Sequence, residues 1–157
     1  MARNPCRAAR TAVSLKGGWR QVGTWDVGSF DNDTAVDWTY GLEEVADLSY
    51  VEAAFDRVLA RGAEEISAED GECSVAAAEV VARLNGQWGE ESPYSETADS
   101  WVRAHPLVPP PALVAKAIAA LERIVTTPSE LLELWSESEE AGGWTDAVAE
   151  VKARVAS

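Results

Sequence analysis

The chain has 157 residues, 46% of them hydrophobic and 8% aromatic, and its 13 Lys and Arg stand against 27 Asp and Glu for a formal net charge of −14. That length suits one domain with a core of its own, and that apolar content excludes global disorder. The charge argues against direct binding to nucleic-acid phosphates, which needs a cationic surface that displaces counterions; it fits simple solubility first and a basic protein partner second.

Other classes fall away on local grounds. Lys116, Glu122 and Arg123 interrupt the apolar C-terminal half, so no run approaches the ~18 uncharged residues of a membrane span. The N-terminus lacks the continuous apolar segment of a secretory signal, so a soluble protein of the cytoplasm is expected. Cys6 and Cys73 are far apart and form no CxxC pair, and they read as free thiols rather than as a zinc site or a disulfide framework.

Residues 1–21 hold Arg3, Arg7, Arg10, Lys16 and Arg20 with no acidic residue, which marks them as a basic N-terminal extension. Residues 22–157 are then a single helical domain. Asp31-Asn32-Asp33 offers short polar caps to a first helix near 33–47, bent or broken at Gly41. Ser49-Tyr50-Val51-Glu52 has capping-box spacing, and Val51, Phe55, Val58 and Leu59 recur at helical intervals before Gly62.

Residues 63–73 are acidic and read mainly as a loop. Ser74 then opens a third helix from Val75 to Leu84, closed by Asn85-Gly86. A short helix near 96–104 carries Trp101 and stops at His105-Pro106. The prolines at 109–111 lead into a helix whose Leu113, Val114, Ala117, Ile118, Leu121 and Val125 form a broad apolar stripe, the central helix on this reading.

Thr127-Pro128-Ser129-Glu130 combines a capping box with proline at the first helical position, for a helix reaching about 138. After Gly142-Gly143, the spacing of Trp144, Val148, Val151 and Val155 makes a last amphipathic helix. The expected architecture is all-α, a compact bundle of about six or seven helices, with a short strand left open around Gly23–Phe30.

The segment from Gly23-Thr24-Trp25-Asp26 through Asp31-Asn32-Asp33-Thr34-Ala35-Val36-Asp37-Trp38 resembles the opening of a small bacterial family known as domain of unknown function 4259. Ala76-Ala77-Ala78-Glu79-Val80-Val81-Ala82, Pro128-Ser129-Glu130-Leu131 with Leu134-Trp135, and the Trp144 helix are similar to the rest of that family. The resemblance implies a compact helical domain and supplies no mechanism.

Three sets of side chains are candidates for a site. Asp31, Asp33, Asp37 and Glu79 could supply oxygen ligands to a hard cation, although the EF-hand spacing is absent and Asp before a helix is an ordinary cap. Glu79 has Arg83 one turn away, and a plain surface ion pair at i,i+4 is the reading favoured for it. Seven tryptophans are many for this length; most should be core, while Trp25, Trp88 and Trp101 are candidates for partner contact. His105 is the only histidine and sits at a helix end, which suits capping. No catalytic residue and no cofactor is expected. The leading functional expectation is a non-catalytic acidic interaction protein of the immunity or inhibitor kind, and the alternative is a metal-dependent enzyme built on the carboxylate cluster.

Overall fold

The computed structural model describes residues 26–157, and these form seven helices and no strand. In chain order they are α1 (Asp33–Leu42), α2 (Ser49–Leu59), α3 (Ala68–Leu84), α4 (Glu96–Ala104), α5 (Pro111–Ile124), α6 (Glu130–Ser136) and α7 (Ala141–Ala156). Residues 26–30 are bends and turn rather than strand, and an isolated parallel bridge joins Ile66 to Ser129. The basic extension at 1–21 and Trp25 lie outside the described residues. No helix among those described is long and apolar enough to cross a membrane.

Local chemistry explains where the helices start. Asn32 caps α1, its side-chain oxygen accepting the Ala35 N–H at 2.7 Å, with Asp33 in the first turn at the positive end of the helix. The helix stops at Leu42 rather than near 47. Gly41 has no side chain, and the Tyr50 ring fills the space one would take. That ring stacks on Trp38 at 5.0 Å between centroids, and the Tyr50 hydroxyl donates to the Trp38 carbonyl at 2.7 Å.

Three start signals act differently from their sequence pattern. Ser49 lies inside α2 and donates to Asp47 at 2.7 Å instead of capping the helix, so the expected capping box does not form. The acidic stretch expected as a loop is largely the beginning of α3. Ser67 caps it by accepting the Asp70 N–H at 3.1 Å, and Glu69 and Asp70 occupy the first turn, where the helix dipole favours negative charge. At α6 the cap is Ser129, which accepts from Leu132 N–H, and Pro128 stands outside the helix. Glu130 reaches across to α3 and accepts the Ala68 N–H at 2.8 Å, so two helix starts share one carboxylate.

The central element is α3, not α5 as the apolar stripe suggested. Ala76, Ala77, Ala78, Val80, Val81 and Ala82 are all buried, so α3 is covered on every side. Small side chains permit this, because α1, α2, α5 and α7 can all approach its backbone closely. The α5 stripe still packs inward through Leu113, Ala117, Ala120, Leu121 and Ile124. Its C-terminal end is clamped by Arg123, which donates to the carbonyls of Gly62, Glu64, Thr126 and Pro128.

Candidate functional site

A helix buried all round has little room for charge, yet α3 carries two charged side chains into the interior one turn apart. Glu79 and Arg83 are 5% and 2% exposed, and the Arg83 Nη1 donates to Glu79 Oε1. The pair expected at the surface is thus a buried one. Buried charges require further partners, and here they come from across the fold. The Arg83 Nε donates to Asp99 on α4 at 2.6 Å, and its Nη2 donates to the Glu90 carbonyl at 2.8 Å. Asp99 in turn accepts from the Ser95 hydroxyl at 2.6 Å.

Glu79 receives a second guanidinium from α7. The Arg154 Nη2 donates to its Oε2 at 2.7 Å, and the Ser29 hydroxyl donates to the same oxygen at 2.8 Å. Arg154 is itself held by Glu150, one turn back, and by the Gln87 carbonyl. Burial alone would raise the pKa of Glu79, but the hydrogen bond from Arg154 and the charges of Arg83 and Arg154 outweigh it and hold the carboxyl below its ordinary range. Against the opposing effect of burial, hydrogen bonds to Glu150 and Glu79 and the charges of those two carboxylates push the Arg154 guanidinium further up.

A lowered folded-state pKa fixes the sign of the pH dependence. The stability contributed by Glu79 is present above its unfolded value of 4.5 and is lost as pH falls through the lower folded value. Urea midpoints between pH 7 and pH 3 should therefore drop less steeply for Glu79→Gln, which starts from a lower midpoint, than for wild type. Parallel slopes would remove Glu79 from the acid response.

Above this network lies an open cleft of about 450 Å³, walled by residues 26–31, the α3–α4 connection and α7. Among the described residues five carboxylates line it, from Asp26, Asp31, Glu79, Glu90 and Glu150, and Arg154 is the one cation. Arg154 is committed to Glu79 and Glu150. Among the described residues Asp26, Asp31 and Glu90 form no ion pair. Asp31 registers the result: burial and the charges of Asp26 and Glu90 raise its pKa, against the opposing hydrogen bond from the Gly28 backbone.

The candidate metal cluster does not assemble. Asp31 and Glu79 share the cleft, whereas Asp33 sits in the first turn of α1 and the exposed Asp37 one turn further on, neither lining it. Both oxygens of Glu79 are already occupied by Arg83, Arg154 and Ser29. Among the described residues no group of three or more His, Cys, Asp or Glu side chains is placed to hold a metal ion.

The tryptophans separate in the same way. Trp101 is 4% exposed, and its indole N–H donates to the Val45 carbonyl at 3.0 Å, so it belongs to the core and not to a contact surface. Trp88 is half-buried between two guanidinium groups, Arg83 at 5.3 Å and Arg103 at 4.6 Å from its ring centre. His105 closes α4, stacking on Trp101 with its Nδ1 2.9 Å from the Trp101 carbonyl. Cys73 is fully buried and disulfide-bonded rather than a free thiol, and Cys6 lies outside the described residues.

Sequence reasoning missed Arg154, Asp99, Glu90 and Ser29. Arg154 looks like the partner of Glu150 in an ordinary i,i+4 pair, and Asp99 looks like a first-turn acid of α4. No local pattern links either to α3.

No curated protein and no solved structure matches the chain. A family model described as Domain of unknown function (DUF4259) matches residues 23–147. That span takes in the cleft wall at 26–31, Glu79 and Arg83 but stops before Arg154, and the chain belongs to this family.

Proposed function

We propose that this is a non-catalytic interaction protein, of the immunity or inhibitor kind, whose cleft receives a cationic side chain of a basic partner protein. The observation that carries the reading is the state of Asp31, a partly buried carboxylate set among negative charges that no cation of the described chain neutralises. An incoming Lys or Arg would relieve that repulsion, so binding would release free energy already stored in the unliganded protein. The net charge of −14 would steer a basic partner toward the cleft, and the exposed aromatic ring of Tyr94 on its wall suits an alkyl-ammonium or guanidinium group.

The test is a calorimetric titration of the full chain with an oligo-arginine peptide at 50 and 200 mM salt, beside a variant carrying Asp26→Asn, Asp31→Asn and Glu90→Gln. Wild type should bind, weakening steeply with salt, and the variant should bind at least about tenfold more weakly. Absence of binding at 50 mM, or equal binding by the variant, would end the proposal.

A further inference from the structure

The net charge of the chain hides a division. Residues 1–25 carry Arg3, Arg7, Arg10, Lys16 and Arg20 and no acidic side chain, whereas residues 26–157 carry all 27 acidic residues against the remaining 8 basic ones. The boundary between the two blocks falls at the acidic cleft itself. Asp26, where the described residues begin, lines that cleft together with Asp31, Glu90 and Glu150.

This placement limits how far away the nearest cations can be. Arg20 is six residues before Asp26 and Lys16 is ten. An extended chain advances at most about 3.6 Å per residue, so the Arg20 backbone stays within about 22 Å of the cleft wall whatever path it takes. A ligand tethered at such short range meets its site at an effective concentration on the order of millimolar.

A second tether comes from α3. Cys73 is disulfide-bonded and Cys6 is the other cysteine of the chain, so a bridge within the chain fastens residue 6 to α3. Glu72, the residue before Cys73, shares a smaller recess with Asp26, Gly28 and Ser29. It lies two turns from Glu79 on the same face of α3, about 10 Å along the helix axis. Arg7, Arg10, Lys16 and Arg20 are then carried on a loop that meets the body of the protein beside the cleft at both ends.

We propose that the basic segment 1–25 folds back over the acidic cleft and occupies it as an intrachain counterion, so that a basic partner binds by displacing it. This regulation rests on the reading of the cleft as a receptor for cationic side chains. The segment supplies what Asp26, Asp31 and Glu90 lack, which is cationic charge not already committed to other carboxylates. It also sets a threshold for partners. At an effective concentration on the order of millimolar, and with an intrinsic dissociation constant about tenfold lower, it weakens a partner's apparent affinity about tenfold.

The test compares the wild-type full chain with a full-length variant carrying Arg3→Gln, Arg7→Gln, Arg10→Gln, Lys16→Gln and Arg20→Gln. Without ligand, at about 50 mM salt, the amide resonances of Asp31, Glu90 and Glu150 should differ between the two proteins, and about 500 mM salt should remove most of the difference. In calorimetry, oligo-arginine should bind the variant at least about tenfold more tightly than wild type. That gain should fall below about twofold when both proteins also carry Asp26→Asn, Asp31→Asn and Glu90→Gln, whereas an effect of net charge alone would persist in that background. Cleft amides unmoved by the five substitutions, oligo-arginine bound no more tightly by the variant than by a binding wild type, or a gain that survives without the cleft carboxylates would each overturn the proposal. Cleft amides that respond while neither protein binds oligo-arginine would remove the partner and keep the intrachain contact, so the two readings fail separately.

Discussion

Arg83→Leu lowers the unfolding free energy by about 3–5 kcal/mol, the range for removing one member of a buried ion pair. The loss comes from what the substitution leaves behind. Glu79 keeps Arg154 and Ser29, but Asp99, 3% exposed, is left with the Ser95 hydroxyl alone, and the Glu90 carbonyl loses its donor. The ring contacts of Arg83 with Phe30 at 5.5 Å and Trp88 at 5.3 Å are lost as well. Urea unfolding at pH 7 measures the effect. Adding Asp99→Leu should recover part of the loss, because the second substitution removes the stranded charge. A drop below about 1 kcal/mol for Arg83→Leu would show that water reaches the network and screens it.

The second large effect is at Trp38, which is fully buried between α1 and the rest of the core. Trp38→Ala should cost about 3–5 kcal/mol, combining lost burial with the cavity left behind. It also removes the ring on which Tyr50 stacks, and with it the support that holds α1 against α2. Trp38→Phe should cost less than about 1.5 kcal/mol, since it keeps most of the apolar volume. It also discards an indole N–H that is buried with no hydrogen-bond partner among the described residues, a group that is costly to enclose. Thermal unfolding of the two variants checks both values, and equal destabilisation would mean that the six-membered ring contributes little of the packing.

Much of the fold was legible because helix starts and apolar periodicity are local. The helices at 96–104 and after the triple proline follow directly from caps, prolines and spacing. Errors arose where local signals were ambiguous. Glu69, Asp70 and Glu72 read as loop because acidic residues are common there, although the same residues suit the positive end of a helix. Glu130 has capping-box spacing from Thr127, but its carboxylate serves the Ala68 N–H of another helix.

The site was legible in part. Glu79 and Arg83 stood out because they are charges within an Ala/Val-rich run, and Asp31 stood out as a member of an acidic cluster. Their assignment to the same cleft with Glu90 and Glu150, and the separation of Asp33 and Asp37 from it, depend on how α1, α3 and α7 pack. The burial that turns the Glu79–Arg83 pair from a surface contact into an interior network has the same origin. Trp101 was misjudged for a related reason: its amphipathic ring suits either a surface or a core, and only the Val45 carbonyl supplied by the chain before α2 decides between them.

The meeting of Arg154 with Glu79 joins positions 75 residues apart, and that of Ser29 with Glu79 joins positions 50 apart. Contacts of such long range form after the large entropic cost of closing the intervening loops has been met, so they belong to the late side of the folding barrier. The floor of the cleft therefore matures after the helices that frame it. Substitutions at Arg154 would consequently act mainly on how fast the native state opens and leave the rate at which it is reached nearly unchanged.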